Sequence, residues 1–371
     1  MNVYGSLVKS IRLVHLNLSH MVVFSVLSLS LHPPLAYAGP GSSPEVSDSM
    51  SMGKALEMPA RLQWRANYGY CGEVAFISAG LYYGQYVSQF DARAIASKGA
   101  DQSTEESQFL LGVNDTYAAA QMHLKTSAWE GDASSSTKAF LRWVKDNIVS
   151  GHPVIIGVYM NRHLFYGTDD LDAGDEEYDH IVPVRGVTSR HSLQKPSIYY
   201  DDDVLTFSDN GLWAGNGAPA FMYSYSFKAF QANRTEANLP SGAVYALPRT
   251  VGNYGIAVTG IIDKDGQTLP VRLTTNVNDE KPAMKEGSNI RPASSDITLT
   301  VKVSGLEPGT SYNLYRYSDF KSVPDSAFNA KAKKADKSWK IVIDAGSTYS
   351  MNETIKSNQV AIYRAVPATA P

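Results

Sequence analysis

The sequence predicts an α+β domain followed by an all-β sandwich domain. Between about Leu62 and Pro248, helical periodicities come first and strand-like runs follow, without a repeating β-α-β order. After about Thr250 the helical periodicity disappears, and short alternating segments separated by turn residues replace it. With 371 residues, the chain is long enough for two domains that each bury their own hydrophobic core.

Three segments of the first domain are predicted to be helical. The stretches at 72–83 (GEVAFISAGLYY) and 137–149 (TKAFLRWVKDNIV) repeat apolar residues at helical spacing. Between them, Ser103-Thr-Glu-Glu106 resembles a capping box, which predicts a helix that continues to Val113.

Short runs rich in β-branched residues predict the strands. In the first domain these runs lie at 154–159, 181–187, 197–200 and 204–208. In the second domain, residues 297–303 (ITLTVKV) alternate strictly between apolar and polar, as a half-buried strand does. Further strands of the second domain are predicted at 313–317, 340–343 and 359–364. The GLEPGTSY stretch at 305–312 resembles the loop and strand of fibronectin type III domains, which implies a binding or spacing module.

The first residues predict export. Lys9 and Arg12 precede an apolar run at 21–31, and Ala36-Tyr37-Ala38 follows as a small-x-small cleavage pattern. We therefore expect a signal peptide at 1–38 and a secreted, extracellular or periplasmic protein. Two alternatives stay open: Met21 is the true start, or the segment remains uncleaved as an anchor.

The domain boundaries follow from these shifts in pattern. Residues 39–57 are rich in Gly, Ser and Pro and predict a flexible lead-in. The α+β domain is expected at 58–250, and the β-sandwich at 251–371.

Charge and motifs argue against several classes of partner. A net charge of -3 gives no electrostatic case for nucleic acid. The chain has no His-Glu-x-x-His motif for zinc, and no glycine-rich loop follows a strand to hold phosphate. The acidic stretch at 169–179 lacks EF-hand spacing, so we expect a solvated loop rather than a calcium site. Neither a cofactor nor a metal is predicted.

Cys71 is the single cysteine of the chain. Exported proteins usually pair their cysteines, so a lone thiol in such a protein invites a chemical explanation. Cys71 immediately precedes the helix predicted from Gly72, and the N-terminus of a helix favours a thiolate. We therefore expect Cys71 to be a nucleophile, with the helix N–H groups close to its carbonyl target.

A base and an orienting group are also predicted. His180 lies directly before the apolar strand Ile181–Val184, where a strand would hold its imidazole rigidly. Asp209 and Asn210 follow the strand at 204–208, and either side chain could accept a hydrogen bond from that imidazole. Strand alternation does not decide between them.

This order of residues resembles that of papain-like cysteine peptidases. The likeness extends to the branch of bacteriocin-leader, or double-glycine, peptidases and their secreted relatives. It is carried by Tyr-Gly-Tyr-Cys-Gly at 68–72, Ser-Gly-His-Pro-Val-Ile-Ile-Gly at 150–157 and Asp-His-Ile-Val-Pro-Val at 179–184. Together these segments cover about residues 60–215. The resemblance implies that Cys71 is the nucleophile, His180 the base and acid, and Asp209 the orienting group.

The chain departs from this family at one position. The family commonly has Gln six residues before the Cys to complete the oxyanion hole, and Arg65 stands there in this chain. Gln63 and Asn67 flank it as candidate donors, and Asn67 is preferred because it begins the loop that leads to Cys71.

The predicted function is hydrolysis of peptide or amide bonds through an acyl-enzyme, with a peptide or protein as substrate. The same triad also supports transamidation, in which an amine replaces water. A third hypothesis is a catalytically inactive domain that serves as an extracellular binding module. In each case the second domain is expected to bind a surface or a protein ligand.

Overall fold

The computed structural model describes residues 52–131, 136–161, 177–196, 198–209, 222–249, 252–275 and 283–369. The predicted signal peptide at 1–38, most of the lead-in at 39–57 and most of the acidic stretch at 169–179 lie outside these residues. The described part is a mixed α+β fold whose strands pair mostly antiparallel. Within it, no helix is both long and apolar enough to cross a bilayer.

The helices of the described residues belong to the first half of the fold. They are α1 (Cys71–Tyr82), α2 (Gln89–Ala96), α3 (Asp115–Gln121), α4 (Thr137–Val149) and the single turn α5 (Arg234–Ala237). The helices predicted at 72–83 and 137–149 are confirmed as α1 and α4. α4 begins where the Ser136 side chain accepts a hydrogen bond from the Ala139 N–H, as a helix N-cap does.

The helix predicted from Ser103 to Val113 is wrong. Only a 3-10 turn, Glu105–Ser107, forms there, and α3 begins later. The Asn114 side chain accepts a hydrogen bond from the Leu110 N–H and donates one to the Gln108 carbonyl oxygen. These side chain–backbone bonds fold the segment as a loop and compete with helical pairing.

One large sheet forms the centre of the first unit. Its strands are β1 (Met52–Ala55), β3 (Leu124–Ala128), β4 (Val154–Met160), β5 (His180–Ser189), β6 (Val204–Ser208), β7 (Met222–Ser226), β8 (Gln231–Ala232), β9 (Tyr245–Pro248) and β10 (Gly255–Ile261). The central order is β3-β10-β4-β5-β6-β7, and β1 pairs with the second half of β5. The strands predicted at 154–159, 181–187 and 204–208 are confirmed.

The strand predicted at 197–200 is wrong for residues 198–200, which are irregular. The Tyr200 N–H donates to the Asp203 carboxylate, and the Asp203 N–H donates to the Tyr200 carbonyl oxygen. This reciprocal turn leads the chain into β6. Lys145 of α4 stabilises this turn. The Lys145 ammonium lies 2.6 Å from the Asp203 carboxylate, and this ion pair is fully buried.

The second unit contains two antiparallel sheets, consistent with the predicted sandwich. One has the order β11 (Val271–Thr274), β12 (Asp296–Ser304), β15 (Thr348–Lys356). The other has the order β14 (Lys337–Val342), β13 (Ser311–Tyr317), β16 (Ala361–Pro367), β2 (Gln85–Tyr86). β12 alternates between buried and exposed residues along most of its length, as predicted for 297–303.

The predicted boundary at residue 250 does not separate the two units, because strands on each side of it pair with strands on the other side. β10 lies beyond that boundary but pairs with β3 and β4 of the first sheet. In the opposite direction, β2 follows α1 and pairs with β16 of the second unit. The Arg364 guanidinium of β16 also donates to the Gln85 side chain at 2.9 Å and to the Tyr83 carbonyl oxygen at 3.1 Å. A single apolar core therefore runs through both units.

Candidate active site

Three elements bring the predicted triad together. Cys71 is the first residue of α1, His180 is the first residue of β5, and Asp209 directly follows β6. β5 and β6 are antiparallel neighbours, so the start of β5 and the end of β6 lie at the same edge of the sheet. α1 packs against β5 and presents its N-terminus at that edge.

The side chains are within interaction distance. His180 Nε2 lies 3.3 Å from Asp209 Oδ1, and the Cys71 side chain forms a hydrogen bond with the same imidazole. Because Nε2 of His180 faces Asp209, the other ring nitrogen, Nδ1, is the one available for a hydrogen bond with the Cys71 thiol. His180 and Asp209 are buried, whereas Cys71 is partly exposed. The thiol is thus the member of the set that solvent can reach. Asn210, the alternative orienting residue, lies outside the described residues.

The His180 imidazole is held in its charged form. Burial by itself lowers the pKa of His180, because a desolvated imidazolium is disfavoured. The hydrogen bonds and charges of Asp209 and Cys71 outweigh burial and raise the pKa to about 9. A charged imidazole beside the sulfur stabilises a thiolate, which is the reactive form of cysteine.

Two tyrosines enclose Asp209. The Tyr245 ring stacks on the His180 imidazole, with ring centroids 5.9 Å apart and planes 14° from parallel. Burial raises the pKa of Tyr245 well above its ordinary value, and the Asp209 charge adds to this effect. The same two causes raise the pKa of Tyr223 to about 12. Both phenols are therefore neutral, and their rings lie close to a carboxylate that is itself buried.

Gly72, the residue after the nucleophile candidate, is required by close approach. A Cβ at this position would lie 1.9 Å from the Phe109 carbonyl oxygen and 3.2 Å from the Ile181 side chain. Any larger residue would push the start of α1 away from the Phe109 backbone. The glycine next to Cys71 therefore lets the first turn of this helix pack closely against the segment around Phe109.

The loop before Cys71 has an unusual backbone. Asn67, Tyr68 and Gly69 all have positive φ, at 49°, 65° and 80°, and the Gly69 N–H donates to the Ala66 carbonyl oxygen. A tyrosine in the left-handed region is strained, so surrounding contacts must hold it there.

Arg93 of α2 provides such contacts. Its fully buried guanidinium donates to the Asn67 carbonyl oxygen at 2.7 Å and also to the Gly69 carbonyl oxygen. It lies over the Tyr70 ring, 3.6 Å from the centroid, and forms an ion pair with Glu73 of α1 at 2.5 Å. One cation therefore fixes both the loop and the first turn of the helix that carries Cys71.

The second unit also reaches this loop. The Asn67 side chain accepts a hydrogen bond from the Gly287 N–H at 2.8 Å and donates one to the Ser288 carbonyl oxygen at 2.8 Å. The Asn67 N–H donates to the Glu286 carboxylate. Met284 packs against Trp64, Ala66 and Tyr70. The segment 284–288 is therefore part of the support of the Cys71 loop.

The two predicted oxyanion donors are placed differently. Both polar atoms of the Asn67 side chain already bond to 287–288, as described. Gln63 Nε2 lies 3.3 Å from the Cβ position of Gly69, two residues before Cys71. Gln63 Oε1 is buried and has no hydrogen-bond partner among the described residues. Of the two candidate donors, Gln63 is therefore the one whose side-chain amide is not already hydrogen-bonded to the segment 287–288.

Sequence reasoning missed Glu73, Arg93, Tyr245 and the segment 284–288. Only Glu73 and Arg93 carried a local signal, because charged residues within helical segments that are otherwise apolar or small suggest a buried pair. The contacts of 284–288 join positions more than 200 residues apart, and no local pattern records them.

Comparison of the chain with protein-family models, with curated protein sequences and with solved structures gives no match. Within the described ranges, no group of three or more His, Cys, Asp and Glu side chains is placed to hold a metal ion. The site is therefore interpreted from its own geometry.

Proposed function

We propose that this protein is a cysteine peptidase or amidase, and that residues 58–261 form a papain-like catalytic domain. The observation that carries the proposal is the placement of Cys71, His180 and Asp209. A partly exposed thiol at a helix N-terminus hydrogen-bonds an imidazole, and a buried carboxylate faces the other nitrogen of that imidazole. This is the arrangement that thiol acyl transfer needs.

The reaction follows from that arrangement. The Cys71 thiolate attacks the carbonyl carbon, and the His180 imidazolium gives its proton to the amine as the C–N bond breaks. Water then adds to the thioester, passes a proton to His180, and the C–S bond breaks to release the carboxylic acid. Asp209 keeps the ring oriented throughout and stabilises its positive charge whenever the ring is protonated.

Gln63 is the oxyanion donor of this proposal, together with the backbone N–H of Cys71. Its amide lies close to Gly69 and is not engaged by other described side chains. A donor aimed at the developing negative charge typically contributes a factor of about 10² to 10³ in rate. Asn67 instead acts as a structural tie to the second unit.

Export through the segment at 1–38 is part of the proposal, as is a peptide or protein substrate. A reactive role for Cys71 would explain why an exported chain has a single cysteine, since exported proteins usually pair their thiols. The second unit supports the catalytic loop through 284–288, which gives it a role besides any ligand of its own.

Alkylation of native protein tests the proposal. Iodoacetamide should modify Cys71 at pH 6.5, as followed by intact mass, and His180→Ala should slow the reaction at least about 10-fold because the thiolate loses its imidazolium. His191→Ala is the matched control, since His191 pairs with Asp202 at the surface and should leave the rate unchanged. Modification only after denaturation would disprove the enzyme and favour the binding module.

A peptide library then identifies the bond. Wild type should release new carboxyl termini, and Cys71→Ala should release none. Products that appear only when a primary amine is added would instead identify a transamidase.

A further inference from the structure

A cavity of about 400 Å³ lies away from the triad, between β1, β5, β6 and β7. Arg185 of β5 lines it, five residues after His180, which at about 3.3 Å per residue is roughly 16 Å along the strand. Lys54 of β1 lines the same cavity. The cavity is therefore separate from the site of Cys71.

The Arg185 side chain lacks a counter-charge. It is partly buried, its Nε atom has no acceptor, and none of the described carboxylates forms an ion pair with it. Two other buried arginines of the described chain have acidic partners: Arg93 pairs with Glu73, and Arg316 lies 3.4 Å from Glu353. Burial lowers the pKa of Arg185, with no opposing contribution from a neighbouring acid. Holding such a charge away from water is costly unless an anion completes it.

The rest of the lining is mixed. Met222 provides apolar surface, and Thr206 contributes a hydroxyl. Met222 is 43% exposed, so its side chain is accessible from the cavity. An arginine without a counter-charge beside an exposed apolar side chain is complementary to a small molecule with a carboxylate at one end and a hydrocarbon body.

We propose that this cavity is a binding site for an organic carboxylate, whose anionic group lies on Arg185 and whose apolar part lies on Met222. The site does not depend on the chemistry of Cys71. The occupant could equally be a free carboxylic acid or the carboxylate end of a peptide, since both offer the same two features.

Thermal unfolding of the full chain with sodium butanoate tests the site. At fixed ionic strength, butanoate should raise the Tm by a few degrees, and butanamide, which has the same shape without the charge, should not. A short peptide with a free C-terminus and an apolar last residue, against its amidated form, tests the second source in the same way. Equal shifts for acid and amide would overturn the proposal, as would an equal shift with inorganic phosphate.

Variants assign the effect to Arg185. Arg185→Met should abolish the butanoate shift and weaken binding at least about 10-fold in calorimetry. Arg190→Met removes an exposed arginine just after β5 and should retain the shift. Without ligand, Arg185→Met should unfold at the same temperature as wild type or higher, because an unpaired, partly buried charge is gone. A clear fall in Tm would mean that an acid of the chain itself pairs with Arg185, and the ligand site would be refuted.

Discussion

The side-chain amide of Asn67 donates a hydrogen bond to the Ser288 carbonyl oxygen across 2.8 Å, and this contact joins the loop before Cys71 to the second unit of the fold. Asn67 also accepts from the Gly287 N–H. The two bonds hold a loop whose backbone is strained at Asn67 and Tyr68. The second unit is thereby part of the structure that positions the nucleophile.

Asn67→Gly should therefore lower the free energy of unfolding by about 2 kcal/mol, the sum of two buried hydrogen bonds. Glycine keeps the positive φ of this position, so the loss reports the side chain alone. Urea denaturation measures it. Asn358→Gly, at an exposed turn position, is the control and should change stability by less than about 1 kcal/mol. If both variants lower the free energy of unfolding equally little, the hydrogen bonds from Asn67 to 287–288 do not stabilise the loop.

The His180–Asp209 pair predicts a pH-dependent stability. Folded His180 keeps its proton to about pH 9, whereas an unfolded histidine releases it near pH 6.5. The stability that this raised pKa contributes is fully present below pH 6.5 and is lost as the pH rises to about 9. Asp209→Asn keeps an acceptor for Nε2 but removes the negative charge. Its deficit relative to wild type should be of the order of 2 kcal/mol at pH 6 and should shrink toward pH 9.

Urea titrations at a series of pH values check this slope. Asp202→Asn, which breaks the exposed His191–Asp202 pair, is the matched control and should change stability by less than about 1 kcal/mol at every pH. A constant deficit for Asp209→Asn across the series would show that the carboxylate does not support a charged His180.

Glu73→Gln should be strongly destabilising. It leaves the Arg93 guanidinium, which is fully buried, without its carboxylate, and breaking a buried ion pair from one side costs about 3 to 5 kcal/mol. Chemical denaturation measures the loss. Lys356→Gln breaks an exposed pair with Asp296 and should cost less than about 1 kcal/mol. Similar losses for the two variants would contradict the role of Arg93 as the cation that organises the Cys71 loop.

Elements with a strong local pattern were predictable. The spacing of Phe140, Leu141 and Val144 gave α4, and strict alternation at 297–303 gave β12. The helix predicted from Ser103 does not form, because the Asn114 side chain makes competing hydrogen bonds with the backbone of that segment. A capping-box pattern measures only local preference, and such preferences yield to bonds made a few residues away.

In the candidate site, too, the features set by neighbouring residues were predictable and those set by distant residues were not. Cys71 before a helix and His180 before an apolar strand can be read from neighbouring residues. The contacts of Asn67 could not be predicted in this way, because its partners at 287–288 are some 220 positions distant. The same holds for β10, whose own sequence does not reveal that it pairs with β3 and β4 rather than with the strands that follow it.

The sequence by itself determined α4, β12, the helix that begins beside Cys71, and the strand that begins at His180. These depend on periodicity and on turn residues, which act over a few positions. Only the tertiary structure decided that Arg93, Glu73 and the segment 284–288 fix the Cys71 loop, and that Gln63 rather than Asn67 lies uncommitted beside it. Those contacts join residues far apart in the chain, and their energies depend on burial, which exists only after the units have packed together.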